Sequence, residues 1–137
     1  MITLEEAQES LTIDQDALDT ELARQPQLVF TVGQQVAAAL ALSDTAKDAV
    51  KVAEATAQRE ARAALTASGD RVTEAMVSSQ TQLQPVLITA REEYGMALSR
   101  SREWQAMQDA VQSRGFALLK LADIELQHQR SVGMATR

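Results

Sequence analysis

The chain has 137 residues, a length that suits one domain, and it carries a net charge of −6. It contains no cysteine, which excludes a disulfide framework, thiolate metal sites and thiol nucleophiles. Hydrophobic residues form 45% of the chain but aromatic residues only 3%, so alanine supplies much of the apolar surface. Alanine buries little area, and we therefore expect a thin core that self-association completes.

The acidity is concentrated at the N-terminus. Residues 1–25 hold seven acidic residues and one basic residue, whereas the rest of the chain holds twelve of each. The start, MITLEEAQES, lacks the apolar stretch of a signal peptide, and no apolar run reaches the roughly 18 residues needed to span a bilayer. We predict a cytoplasmic protein with an acidic N-terminal arm, residues 1–25, and no membrane partner.

Two capping signals predict short helices within this arm. Thr3 with Glu6 has the spacing of a capping box and predicts a helix over Leu4–Leu11. Asp14 is a suitable cap for a second helix over Gln15–Arg24.

A long helix is predicted over residues 26–68. Pro26 is tolerated in a first turn and therefore predicts a new helix start, and Gly69 predicts a left-handed C-cap within a Ser-Gly-Asp turn that ends at Asp70. The apolar stripe of this helix recurs every three or four residues. Its members are Val29, Val32, Val36, Ala39, Ser43, Ala46, Val50, Ala53 and Ala57.

Two further helices complete the chain. Thr73 predicts a capped short helix over residues 73–82, and Pro85 predicts the start of a second long helix over residues 85–129, with a frayed tail from Ser131 onward. The stripe of this second long helix consists of Leu87, Ala90, Tyr94, Ala97, Ser101 and Trp104.

The predicted fold is all-α and forms a single domain over residues 1–137. Two long antiparallel helices form a hairpin, with short N-terminal and connecting helices, and assemble into a homo-oligomer. Periodicity does not distinguish packing within a chain from packing between chains, so a monomeric hairpin is the alternative.

The residues give little support for an enzyme. His128 is the single histidine, and near a helix C-terminus it is expected to be a surface residue. Glu92 and Glu93 are consecutive on a helix and point about 100° apart, so they do not converge. No glycine-rich phosphate loop occurs. We predict a non-enzyme without cofactor or metal.

Basic residues around the turn after the first long helix are candidates for binding nucleic acid. Their spacing places most of them roughly on one helix face, and a linear basic face can follow a phosphate backbone. The alternative is a solvated helix face, because acidic residues interleave with them. The candidates are Lys47, Lys51, Arg59, Arg62 and Arg71.

The segment DAVQSRGFALLKLADIE (Asp109–Glu125), with Trp104 upstream, resembles the C-terminal helix of UvsY-type recombination mediator proteins of T-even-like bacteriophages. Its SRGF core contains Gly115, which favours close approach of a neighbouring helix or subunit, although a local kink is the alternative. The acidic start LEEAQESL, the segment IDQDALDTELARQPQLV (Ile13–Val29) that follows it, and the basic helix end EARAALTASG (Glu60–Gly69) are also similar to that family.

The resemblance implies a cyclic homo-oligomer that binds single-stranded DNA. Such proteins help to load a RecA-like recombinase onto DNA occupied by a single-strand DNA-binding protein. Arg62 matches a basic residue of the family's DNA-contacting helix, and Arg59 lies near a second one. Trp104 to Leu126 matches the self-association region. Within it, the predicted assembly residues are Trp104, Met107, Val111, Arg114, Gly115, Phe116, Leu118 and Leu121.

A protein-only scaffold or adaptor, such as a phage assembly protein, is the alternative function. It is favoured by the net acidity and by the scarcity of aromatic residues for base stacking.

Overall fold

The computed structural model describes residues 1–69 and 71–135, and in these residues it is helical without a strand. The helices in chain order are α1 (Leu4–Glu9), α2 (Leu18–Ala67), α3 (Glu74–Gln82) and α4 (Pro85–Ala135), with a 3₁₀ turn over Gln15–Ala17 before α2. The long helices α2 and α4 pack together, so the predicted all-helical fold is confirmed.

Contacts divide the chain into two compact units. The terminal unit combines Met1–Ala37 with the described chain from Arg102 onward, and the central unit is Ala38–Ser101. Both long helices contribute to each unit, and α3 lies wholly in the central one.

The N-terminal arm begins as predicted. Thr3 caps α1 through the reciprocal contacts of a capping box with Glu6, and the side chain of Asp14 accepts a hydrogen bond from the backbone N–H of Asp16. Helix α1 ends at Glu9 rather than Leu11. Ala7 is fully buried, so the arm is packed within its own chain.

The predicted helix start at Pro26 is wrong. Helix α2 begins at Leu18 and continues through Pro26 to Ala67, so the predicted second short helix and the first long helix are one element. A proline inside a helix removes one backbone hydrogen bond. Glu21 and Leu28 are buried on either side of it, and this packing holds the segment helical.

The turn between α2 and α3 follows its sequence signals. Gly69 has φ +79, the left-handed conformation expected of a C-cap glycine. Asp70, which was predicted to end this turn, lies outside the described residues. Thr73 caps α3 by accepting a hydrogen bond from the N–H of Met76.

The predicted fraying from Ser131 is wrong over the described residues. Helix α4 starts at Pro85 as expected but continues to Ala135, and Thr136 and Arg137 lie outside the described residues. The segment from Asp123 to Met134 is helical and exposed at every position.

Opposite-running helices form the terminal unit. Glu21 of α2 contacts Arg114 of α4, and Gln25, four residues later in α2, contacts Val111, three residues earlier in α4. The buried apolar residues of this unit are Ala7, Leu28, Val32, Val36, Trp104, Val111 and Leu118.

The central unit has the thin alanine core that the composition predicts. Ala53 and Ala57 of α2 pack with Leu87 and Ala90 of α4, with Val50 at the edge.

The apolar stripe predicted for the first long helix is largely buried in α2. At its start, however, Val29 is 44% exposed and Leu28 is buried in its place.

Candidate nucleic-acid interface

The five basic residues predicted to contact DNA are all exposed, and all belong to the central unit. Lys47, Lys51, Arg59 and Arg62 project from α2, and Arg71 follows the turn. A face that must meet a phosphate backbone requires this exposure, and it arises because α2 turns its alanines inward.

Helix geometry separates the inner and outer faces of α2. Ala53, Ala57 and Ala61 recur every four residues and are buried. At about 100° per residue, Arg59 lies close in angle to Val52, seven residues earlier, and both are exposed. Arg62 follows Arg59 by three residues, so the two arginines are neighbours on the outer face.

The acidic residues that interleave in the sequence are distributed around the helix. Asp48 lies on the outer side, and its carboxylate is 3.9 Å from the ammonium of Lys51, three residues later in the helix. Glu54 instead lines a polar cleft of about 290 Å³ between α2 and α3, together with Gln58, Glu74, Val77, Ser78, Thr81 and Gln82.

Two arginines bridge helices at this cleft. Arg62 Nη2 donates to both carboxylate oxygens of Glu74 at 3.0 and 3.2 Å. Arg91 of α4 donates to Gln82 Oε1 at 2.5 Å and lies 3.5 Å from Glu54. The sequence did not predict the contacts of Arg91 or Glu74, because both depend on how α3 is placed against the long helices.

An apolar groove of about 450 Å³ lies on the other side of α2, against α4. The exposed side chains of Val52 and Val86 line this groove, and Arg59 lies seven residues after Val52 in α2. The remaining lining residues are Ala49, Ala53, Thr56, Pro85, Thr89, Ala90 and Glu93.

The SRGF segment has a defined structural role in the terminal unit. Arg114 is buried, and its Nη2 donates to Glu21 while its Nη1 donates to Gln25 Oε1 at 2.7 Å. Gln25 Nε2 in turn donates to the carbonyl oxygen of Val111 at 2.8 Å. A Cβ on Gly115 would lie 3.0 Å from this same Nε2, so the glycine leaves room for the Gln25 amide.

The electrostatics of this network are those of a buried ion pair. Burial lowers the pKa of the Arg114 guanidinium from its ordinary value, the charge of Glu21 opposes that shift, and Arg24 adds to it. Among the described residues, Arg114 Nε has no hydrogen-bond partner. Removing one member of such a pair leaves a buried charge and is costly.

A sequence signal for this network exists. Glu21 and Gln25 precede Leu28 and Val32 at spacings of three or four, so they extend the apolar stripe of α2 toward its N-terminus. A charged residue on an apolar stripe predicts a buried partner. The predicted break at Pro26 obscured that continuity.

The predicted assembly residues fall into three groups by burial. Trp104, Val111, Arg114 and Leu118 are buried inside their own chain, and Met107, Gly115 and Leu121 are half-buried. Phe116 is 73% exposed. Of the predicted set, Phe116 is therefore the side chain most accessible to a second copy, and Leu119, 60% exposed and three residues later, extends its surface.

Three comparisons, with protein-family models, with curated proteins and with solved structures, each found no match to this chain. Within residues 1–69 and 71–135, no group of three His, Cys, Asp or Glu side chains is placed to hold a metal ion. None of the helices described above has the length and apolar character needed to cross a bilayer.

Proposed function

We propose that this chain is a recombination mediator. It binds single-stranded DNA as a cyclic homo-oligomer in the cytoplasm and assists the loading of a RecA-like recombinase onto DNA that carries a single-strand binding protein. In this role it acts by binding and catalyses no reaction.

The resemblance of the SRGF segment supports this proposal. Arg114 and Gly115, which lie at its centre, both participate in one buried network with Glu21 and Gln25. The short motif is therefore tied to residues of the segment Ile13–Val29, and two regions that resemble the family are joined by direct contacts.

The observation that carries the DNA-binding part is the outer face of α2. Arg59 and Arg62 are neighbouring and exposed there, beside exposed Val52. Arginine is suited to bidentate contact with phosphate. Each chain contributes few basic side chains. A ring would raise the affinity for DNA by presenting the same weak site repeatedly to one strand.

Binding of a fluorescent oligo-dT, measured by anisotropy over a series of salt concentrations, tests this function. We expect binding at low salt that weakens steeply, with a log–log slope of about −0.7 for each phosphate neutralised. Replacing both arginines in Arg59→Ala/Arg62→Ala should weaken binding and flatten the slope, while light scattering reports an unchanged particle mass.

Arg102→Ala/Arg130→Ala is the matched control, because both are exposed arginines of α4 in the terminal unit and their loss removes the same two positive charges. Binding that survives Arg59→Ala/Arg62→Ala but falls in the control would remove the outer face of α2 from the site. An intact oligomer that does not bind oligo-dT at low salt would refute the proposal.

A protein-only scaffold is the second candidate. It is favoured by the neutralisation of Lys51 and Arg62 by Asp48 and Glu74, and by the exposed apolar side chains Phe116 and Leu119 on α4. A scaffold predicts the same mass with and without oligo-dT and no recombinase in a pull-down.

A further inference from the structure

One arginine of the proposed DNA-binding face already has an anionic partner. The guanidinium of Arg62 lies 3.0 and 3.2 Å from the two carboxylate oxygens of Glu74. Both side chains remain accessible, at 48% and 77% exposure. An incoming anion can therefore reach the same guanidinium without unfolding either helix.

The position of Glu74 is fixed by local structure. It is the first residue of α3, directly after the Thr73 cap, and the first turn of a helix favours a negative charge. A carboxylate presents two oxygens to a guanidinium much as a phosphate does. Glu74 therefore offers Arg62 the same type of contact as a DNA backbone.

We infer that Glu74 is a built-in competitor that holds Arg62 away from single-stranded DNA, so that DNA binding by the central unit is self-inhibited at this arginine. This inference rests on the proposed function. It assigns different duties to the two neighbouring arginines. Arg59 contacts phosphate in the wild-type protein, whereas Arg62 engages a phosphate only when the Glu74 carboxylate is displaced.

The size of the effect follows from the exposure of the pair. Exposed ion pairs are weak, so releasing Arg62 is expected to strengthen binding by about two- to five-fold for each subunit engaged. A newly engaged arginine should also steepen the salt dependence by up to about 0.7 in log–log slope. The slope is the more specific readout, because removing any acidic charge strengthens binding in general.

The test compares Glu74→Gln with Glu60→Gln in the oligo-dT anisotropy assay. Both variants lose one negative charge, and Glu60 is an exposed residue of α2 two positions from Arg62. We expect Glu74→Gln to bind more tightly than Glu60→Gln and to show the steeper slope. Circular dichroism checks that α3 and the long helices are retained.

A double-substitution cycle identifies Arg62 as the group released. In the Arg62→Ala background, Glu74→Gln should give no more gain than Glu60→Gln. With Glu74 intact, Arg62→Ala should weaken binding less than Arg59→Ala. Equal affinities and slopes for Glu74→Gln and Glu60→Gln would overturn the inference, as would a Glu74→Gln gain that persists without Arg62.

The possible failures are distinguishable. Wild-type binding that Glu74→Gln does not enhance beyond Glu60→Gln rejects the competitor and leaves the proposed function standing. Binding that appears only in Glu74→Gln supports the competitor. No binding by any of the proteins at low salt rejects both.

Discussion

At the scale of single residues, the buried contacts of Arg114 explain why a glycine follows it. The Gln25 amide accepts from Arg114 and donates to the Val111 carbonyl oxygen, and it passes where a side chain at position 115 would begin. The usual cost of glycine in a helix is thus balanced by two hydrogen bonds that an alanine would disturb.

Gly115→Ala is therefore expected to destabilise the protein by about 1 kcal/mol. The alanine gains up to about 1 kcal/mol of helix propensity, but displacing the part-buried Gln25 amide costs about 1 to 3 kcal/mol. Urea unfolding followed by circular dichroism measures the net effect.

Gly95→Ala is the control, because Gly95 lies in the same helix with no atom within 4 Å of an added Cβ. It should stabilise by up to about 1 kcal/mol. If both substitutions stabilise equally, Gly115 is not reserved for the Gln25 amide.

The difference between these glycines marks a limit of sequence reasoning at this scale. The spacing of Arg114 and Leu118 on the stripe of α4 identifies the buried face. It does not reveal that the partner of Arg114 is Glu21, because that contact joins residues 93 positions apart. The basic residues of α2 proposed to contact DNA were different. Their exposure could be predicted from the helix pattern alone, because it depends on no distant partner.

At the scale of elements, Pro26 is the informative position. Its ring nitrogen donates no hydrogen bond, and in a helix interior proline also clashes with the preceding turn. Helix α2 nevertheless continues through it. The caps of α1 and α3 and the C-cap at Gly69 were predictable because each is a local contact of a few residues. Continuity through Pro26 was not, because it depends on packing against α4.

Pro26→Ala is expected to stabilise the protein by about 1 to 2 kcal/mol. The alanine restores a backbone donor to α2, and the gain is smaller than the full helix-interior penalty because proline also restricts the unfolded chain. Urea unfolding measures the change. Gln27→Ala, an exposed neighbour, should change stability by less than about 0.5 kcal/mol, and a Pro26→Ala result within that margin would contradict the expected strain.

At the scale of the whole molecule, burial separates folding from the proposed assembly. Trp104 is 3% exposed, whereas Phe116 in the same helix is 73% exposed. The resemblance assigned both to self-association, because a sequence does not show which apolar side chains their own chain covers. In the structure Trp104 belongs to the interior of its own chain, and Phe116 is available to another copy.

Phe116→Glu should therefore convert the proposed oligomer to smaller particles that keep their helicity, because it would place an unpaired charge in the interface. Trp104→Glu should instead lower helicity and stability. Light scattering and circular dichroism on each variant distinguish the two outcomes. A wild-type protein with the mass of one chain, or a Phe116→Glu variant of unchanged mass, would contradict this assignment.

The long reach of the Glu21–Arg114 contact also has a consequence for synthesis on the ribosome. Contacts of the central unit span shorter distances along the chain, from 9 residues for Arg91–Gln82 to 37 for Arg91–Glu54, so we expect them to form while the nascent chain is still growing. The terminal unit must wait, because Gln25–Val111 closes a loop of 86 residues. We therefore expect the start of α2 to remain a hydrated acidic segment until α4 emerges, and its burial against α4 to come late in folding.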